Sequence, residues 1–221
     1  MLLWQEDGLG DMLQFSRYVP LLKALGAAHI AFACAPALHR LIAKVDGVDA
    51  VLDHHGALTR VATYDCWTSP LSVPLHLRTT LDTLPRPTRL SAEPALIEHW
   101  RSTLHAPRST LDALPPGHRV GLVWKGNAKH HNDANRSLPS LATLAPLWSV
   151  PGLNFVSLQK GQGEDEARTP PLAQPLLDLG ARVTDFADSA AVVAQLDLVI
   201  CVDTSIRRSR IWSHRSANRA G

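Results

Sequence analysis

The chain has 221 residues and a mass of 24.1 kDa, enough for one large domain or two small ones with a real hydrophobic core. Charged residues make up 19% and hydrophobic residues 45%, which excludes an extensively disordered or fibrous chain. The formal net charge is only +2, and with no global basic excess nucleic acid is not an expected partner.

In chain order, Met1–Gln5 reads as a strand and Glu6–Gly10 as a loop. Asp11–Leu25 reads as a helix with Met12, Phe15, Val19 and Leu22 on one face, Gly26 as its stop, and Pro20 as an interior kink. Ala28–Ala33 follows as a strand, Ala37–Val45 as a helix ended by Asp46-Gly47, Val48–Leu52 as a strand, and Tyr64–Trp67 as another. Ser91–Leu104 reads as a helix with Ser91 as N-cap and Leu96, Trp100 and Leu104 on one stripe. A proline-rich stretch with Pro107, Pro115, Pro116 and Gly117 then marks a linker. Beyond it come a strand at Arg119–Trp124, a long polar loop from Lys125 to Ser137, a helix at Leu138–Trp148 and a strand at Asn154–Leu158. Leu172–Leu179 reads as a helix closed by Gly180, Ser189–Gln195 as a short helix, and Asp197–Val202 as a strand ending at Asp203.

Strand–helix alternation implies parallel sheets covered by helices, and here it occurs twice. The expected class is α/β, with two Rossmann-like halves: 1–106, a linker at 107–117, and 118–206, followed by a basic tail at 207–221. Ligands of such sheets sit beyond the carboxyl ends of strands, so residues that follow strands carry the functional expectations. Gly8-Leu9-Gly10-Asp11 follows the first strand. It is not a dinucleotide fingerprint, because Leu13 stands where the third glycine belongs, and this disfavours a nicotinamide oxidoreductase. Asp11 reads either as a general base for a hydroxyl nucleophile or as a helix N-cap. The second-half loop holds Lys125, Gly126, Asn127, His130, His131, Asn132, Asp133, Arg136 and Ser137. Lys125 and Arg136 suit a phosphate, Asn127 and Asn132 suit sugar hydroxyls, and the plain alternative is a solvated loop. Gln159-Lys160-Gly161 exits a strand toward the same place. Asp188 reads as an N-cap, and Asp203-Thr204 ends the last strand. His54-His55 and His130-His131 lack acidic or thiol partners at metal spacing, so no metal is expected.

Cys34, Cys66 and Cys201 lie far apart in apolar stretches and read as buried free thiols of a reducing compartment. Met1-Leu2-Leu3-Trp4 meets Gln5-Glu6-Asp7 too soon for a signal peptide, and no apolar run approaches the ~20 residues of a membrane span. The expectation is a cytoplasmic protein with no transmembrane segment.

Taken in order, these motifs resemble the glycosyltransferase domain of the heptosyltransferase superfamily, the family 9-like form often fused behind tetratricopeptide repeats. The resemblance runs from about Met1 to Ile206. It is carried by Gly8-Leu9-Gly10-Asp11 with Gln14-Phe15 and Arg17-Tyr18, then Val120-Gly121-Leu122-Val123-Trp124 with Gly126-Asn127. It continues through His130, Asn132-Asp133, Arg136-Ser137, Ser157-Leu158-Gln159-Lys160-Gly161, Asp185-Phe186-Ala187-Asp188, and Asp197-Leu198-Val199-Ile200 with Val202-Asp203-Thr204. It implies a GT-B fold and inverting, metal-independent transfer from a nucleotide sugar, with no cofactor beyond that donor and with a sugar, lipid-linked or protein acceptor. By the resemblance Asp11 is the base. Gly8, Gly10, Gln14, Asn127, Asn132, Arg136, Gln159, Lys160, Asp203 and Thr204 line the substrate sites. A tetratricopeptide-repeat segment is a possible partner.

The pattern departs from the family at Ala128, where proline is usual, at Ala134, where arginine is usual, and at the variable position Lys125. It departs most in the tail. Arg207, Arg208, Arg210, Arg215 and Arg219 fall in the last fifteen residues, which hold no Asp or Glu, and the rest of the chain carries a net −3. The family continues there with a histidine-led helix. A neighbouring reading frame of one codon choice for Arg210–Gly221 encodes such a continuation, so the expectation is a frameshift that leaves the second half incomplete and transfer impaired. A basic tail that binds acidic surfaces is the alternative. A non-catalytic module that binds a nucleotide sugar or a protein is the rival reading of the whole chain.

Overall fold

The structure is a computed structural model that describes residues 1–87, 90–104 and 117–205. The expected tail at 207–221 and all of the expected linker except Gly117 lie outside the described residues. Two compact units emerge. Among the described residues, one contains Met1–Ser91 with Asp185–Ala187, and the other contains Ala92–Thr184 with Asp188–Ser205.

The first unit runs β1 (Leu2–Trp4), α1 (Leu9–Phe15), α2 (Val19–Ala24), β2 (Ala31–Ala33), α3 (His39–Ile42), β3 (Ala50–Leu52), α4 (His54–Arg60), β4 (Trp67–Thr68) and α5 (Val73–His76). Its four strands are all parallel in the order β3-β2-β1-β4, with Leu2 opposite both Ala31 and Trp67. Leu2, Leu3 and the whole of β2 are buried, as strands covered on both faces require. The expected helix Asp11–Leu25 is two helices joined by a 3-10 turn at Ser16–Tyr18, and Pro20 lies in the first turn of α2. A proline there loses no hydrogen bond, so it opens a second helix where an interior kink was expected. Gly26, at φ +103, ends α2: its N–H donates to the Lys23 carbonyl and that of Ala27 to Leu22, the Schellman pattern that favours glycine.

Two other expectations in this unit shift. Ala37–Val45 is a 3-10 turn at Pro36–Leu38 followed by the short α3. The fourth strand, expected from Tyr64, starts at Trp67, because the chain bends at Tyr64 and Asp65 after a 3-10 turn at Val61–Thr63. Helix α4 was not foreseen; its N-cap is Asp53, whose carboxylate accepts the Gly56 N–H at 2.6 Å.

The second unit runs α6 (Pro94–Leu104), β5 (His118–Val123), β6 (Leu153–Ser157), α7 (Glu164–Arg168), β7 (Leu177–Asp178), α8 (Phe186–Val193) and β8 (Leu198–Cys201). Its strands are parallel in the order β7-β6-β5-β8. One core cluster gathers Trp100, Val123, Val156, Leu158, Leu179 and Val192; another gathers Trp124, Leu122, Leu141 and Phe155. Because Trp100 packs into the first of these, α6 belongs to the second unit, and the first unit ends at Ser91 where 106 was expected. Ser91 is not its cap: the Glu93 carbonyl accepts from Leu96 and Ile97, and Pro94 opens the helix.

Proline overrides apolar spacing at two further places. Leu138–Trp148, expected as an α-helix, is a 3-10 run at Leu141–Ser149 with Pro146 inside it. Leu172–Leu179, also expected as a helix, is a turn followed by the short strand β7. Pro175, one turn into the segment, removes an amide proton that a helix would need, and Leu172 is fully exposed. Helix α8 begins at Phe186, three residues before the expected start. Asp185 accepts the Ala187 N–H at 2.9 Å in the manner of an N-cap. Asp188, expected as the cap, lies inside the helix. It is buried and accepts from Thr184 N–H (2.9 Å), Thr184 Oγ1 and Trp100 Nε1 (3.3 Å).

Two predictions follow from this packing. A Cβ on Gly180 would lie 1.8 Å from the Gln159 carbonyl oxygen, whereas one on Gly26 would meet nothing within 4 Å. Gly180→Ala is expected to cost at least about 3 kcal/mol, and Gly26→Ala about 1–2 kcal/mol from its backbone angle alone; urea denaturation of both variants checks the ranking. Asp49 joins three elements, accepting from Lys23 Nζ of α2 at 2.7 Å and from the Ile30 N–H at 2.6 Å. Its carboxyl is held below the ordinary 3.8, chiefly by the Lys23 hydrogen bond. A depressed folded value means stability that is present above 3.8 and lost as pH falls through it. Wild type is therefore expected to exceed Asp49→Asn in stability near neutral pH, and denaturation across a pH series should show the gap closing below pH 3.8.

Candidate functional site

In a parallel sheet every strand points the same way, and a cleft opens where the chain leaves two neighbouring strands in opposite directions. The first sheet has that point between β1 and β4 and the second between β5 and β8. The sequence expectations cluster at both.

At the end of β1, Gln5 fixes the loop. Its Oε1 accepts the Ala35 N–H at 2.8 Å, its Nε2 donates to the Asp7 carbonyl at 2.8 Å, and its own N–H donates to Ala33. Gln5 was not foreseen as a site residue; its place directly after an apolar strand is the signal. Gly8 is the N-cap of α1, and its carbonyl accepts from Asp11 at 3.1 Å and Met12 at 3.3 Å. The N-cap reading of Asp11 is thereby overturned: Asp11 stands in the first turn, half-buried, with Oδ2 3.1 Å from where a Cβ on Gly8 would sit. Gly10 is buried against the sheet, and Gln14, half-buried, accepts Arg17 Nε on its carbonyl at 2.8 Å. Gly8, Gly10, Asp11 and Gln14 thus share one short helix at the switch point of the first sheet.

At the end of β5 the polar loop closes on itself. The Leu138 N–H donates to the Trp124 carbonyl at 2.8 Å and the Gly126 N–H to Ser137 Oγ at 2.8 Å. Ser137 Oγ donates in turn to Asp133 Oδ1 at 2.6 Å. Within the loop Asn127 Oδ1 accepts the Lys129 N–H and Asn132 Oδ1 accepts Asn135 Nδ2, and both asparagines are exposed. Lys125 lies 3.4 Å from Glu166 of α7, so its charge is balanced within the fold.

Arg136 reaches across the switch point to the end of β8. Its Nη2 donates to the Asp203 carbonyl and lies 3.3 Å from Asp203 Oδ2. Its Nε is buried without a hydrogen-bond partner. Thr204, half-buried, follows directly. Sequence reasoning placed Arg136, Asp203 and Thr204 at one ligand, and the fold brings Arg136 and Asp203 together.

Gln159 and Lys160 turn out differently. Gln159 is fully buried and directs its amide onto backbone: Oε1 accepts from Trp124 N–H (2.9 Å) and Lys125 N–H (3.0 Å), and Nε2 donates to Lys125 O (3.0 Å) and Gln162 O (2.7 Å). Lys160 Nζ donates to Gly180 O at 3.1 Å and Val183 O at 3.0 Å. Gln159 braces the site where a ligand contact was expected; Lys160 is exposed and keeps a third ammonium proton beside its two carbonyl bonds.

The histidine pairs have structural neighbours. His54 packs on Trp4 with ring centroids 5.2 Å apart, and His130 stacks on His131 at 4.5 Å. Among the described residues no three His, Cys, Asp or Glu converge as metal ligands, and no helix is long and apolar enough to cross a membrane.

No protein-family profile matches the chain. Protein FlbA of Caulobacter vibrioides (strain ATCC 19089 / CIP 103742 / CB 15) is 29% identical over 224 residues, covering 90% of this chain and 35% of FlbA. The chain thus spans about a third of that relative's length. Among solved structures, the glycosyl transferase family 9 protein of Veillonella parvula DSM 2008 matches with a TM-score of 0.67 and 12% identity, over 96% of this chain and 78% of that one. Escherichia coli ADP-heptose LPS heptosyltransferase II matches at 0.66 and 13%, over 97% and 82%. The fold is therefore α/β and GT-B-like, two parallel four-stranded sheets shared with those glycosyltransferase structures.

The thiols give a test of burial around this scaffold. Burial pushes the Cys34 thiol, at the end of β2, up to about 12, whereas Cys66, expected to be buried, is exposed and Cys201 is half-buried. At about pH 8 a thiol reagent is expected to modify Cys66 at once and Cys34 only as fast as the fold opens; mass spectrometry of the time course reads the difference.

Proposed function

We propose that the chain is a glycosyltransferase-like domain that transfers a sugar from a nucleotide-sugar donor with inversion and without a metal. The observation that carries the reading is the Arg136–Asp203 junction at the switch point of the second sheet, where α/β sheets bind their ligands. A guanidinium with a buried unpartnered Nε beside strand ends is chemically suited to a diphosphate. The solved structures of like fold are named as a family 9 glycosyl transferase and an ADP-heptose heptosyltransferase, and that supports a nucleotide-sugar donor.

In this reading Asn127, Asn132 and Thr204 bond donor hydroxyls or phosphate oxygens, and Lys125 supports the loop. Asp11 takes the proton of the acceptor hydroxyl as that oxygen attacks the anomeric carbon and the nucleoside diphosphate leaves with the bonding electron pair. Gly8, exposed at the start of α1, keeps the backbone there open to the acceptor, buried Gly10 lies inside the same turn, and Gln14 lies one turn further along the helix. The acceptor is a hydroxyl of a sugar, a lipid-linked molecule or a protein, and a cytoplasmic setting with a tetratricopeptide-repeat partner completes the proposal.

Calorimetric titration with ADP-, GDP- and UDP-linked hexoses tests the donor site. Saturable binding of one of them, weaker than micromolar where the second half is impaired, is expected to fall at least about tenfold in Arg136→Ala; no binding of any of them overturns the reading. Where turnover with an acceptor is found, Asp11→Asn is expected to lower kcat at least about a hundredfold with donor affinity kept. Unchanged turnover removes Asp11 as the base, and donor binding without turnover in any acceptor screen turns the assignment to a non-catalytic binding module.

A further inference from the structure

The carboxyl ends of β7, β6, β5 and β8 stand side by side, and an unbroken series of contacts crosses them. After β7, Gly180 packs so tightly on the Gln159 carbonyl that no Cβ fits between them, and Lys160 Nζ ties the same turn at Gly180 O and Val183 O. After β6, Gln159 holds both peptide groups that begin the β5 loop, Trp124 and Lys125, and also Gln162 O. The far end of that loop returns to the same anchor, with the Leu138 N–H on Trp124 O and the Gly126 N–H on Ser137 Oγ. Arg136 sits in this closed neck and reaches Asp203 after β8.

A primary amide has two protons and two lone pairs. Gln159 fills all four with backbone partners and is fully buried, so it has no capacity left for a ligand. We infer that Gln159 is the positioning residue of the second unit's anion site: it sets the start of the β5 loop against the end of β6 and thereby fixes where Arg136 is presented. The nature of the ligand rests on the reading given under Proposed function; the positioning itself does not.

Amide hydrogen exchange on the full chain, followed by NMR, tests both parts. The Lys125 amide lies beyond the last residue of β5, yet in wild type it is expected to exchange as slowly as Leu122 inside the strand and about a hundredfold more slowly than Asn127. Gln159→Met, of similar length without the amide, is expected to speed exchange at Trp124 and Lys125 about tenfold with Leu122 within about twofold, and to weaken whichever ADP-, GDP- or UDP-linked hexose binds wild type about tenfold.

The inference is overturned by a wild-type Lys125 amide as fast as Asn127, which needs no variant to fold. It is overturned equally by a Gln159→Met protein that leaves both amides protected, that speeds Leu122 as much as Lys125, or that frees the loop without changing donor affinity. If no nucleotide sugar binds wild type, the functional reading falls alone, and the exchange of Trp124 and Lys125 still decides the role of Gln159.

Discussion

A buried primary amide that leaves a proton or lone pair unpaired costs about 1–3 kcal/mol per group. Gln159 leaves none, and that requirement determines much of what surrounds it. The two N–H groups it accepts from and two carbonyls it donates to belong to chain leaving two adjacent strands, so satisfying one side chain also satisfies backbone that has run out of sheet partners. The glycine at 180 is dictated by the same residue from the other side, since the carbonyl of Gln159 occupies the space a side chain would need. The polar loop after β5 is long, but it is anchored at its base by a buried group and pinned at its neck by Leu138 and Ser137. A loop of this composition standing free in water would have neither anchor.

The sequence made the sheets legible because buried parallel strands are short continuous apolar runs, and Leu2–Trp4, Ala31–Ala33, Val120–Val123 and Phe155–Val156 are such runs. The stop at Gly26 was legible because one residue type fits its backbone angle. The helices were less so. Apolar spacing in Leu172–Leu179 and Leu138–Trp148 matches a helical face, but spacing measures only which side is buried; it is blind to the amide protons that Pro146 and Pro175 remove. Capping went wrong for a related reason. Asp11 and Asp188 are each good cap residues, but a better-placed neighbour, Gly8 or Asp185, holds the position that the preceding chain direction selects, and each aspartate lies one turn further in.

Of the candidate site, the location was legible and the division of labour was not. That ligand residues follow strands is a consequence of topology, so Asp11, Arg136 and Asp203 could be found from strand ends alone. Whether a polar side chain at a strand end faces a ligand or its own backbone depends on the neighbouring strand, which sequence order does not reveal. Gln159 is 35 residues from Trp124 along the chain and hydrogen-bonded to it in space. Lys160 is likewise committed to carbonyls 20 and 23 residues away. Both were read as ligand contacts because local sequence shows polarity without direction.

The same distinction explains how a fold can be shared at 12–13% identity without carrying an activity with it. Cores built from apolar residues tolerate wide substitution when volume and pattern are kept, so a sheet order such as β7-β6-β5-β8 constrains few identities. Chemistry is set by single groups at strand ends. A guanidinium neutralised by Asp203, as Arg136 is here, attracts an anion only to the extent that the new contacts exceed the one already made. An exposed carboxylate such as Asp203, with 58% of its side chain in solvent, is a weak competitor for that guanidinium, because pairs of this kind contribute about 0–1 kcal/mol in water. The guanidinium is held at this junction by Asp203 through both its main-chain carbonyl and its exposed carboxylate, and only the second of these contacts is a charge that another anion would replace.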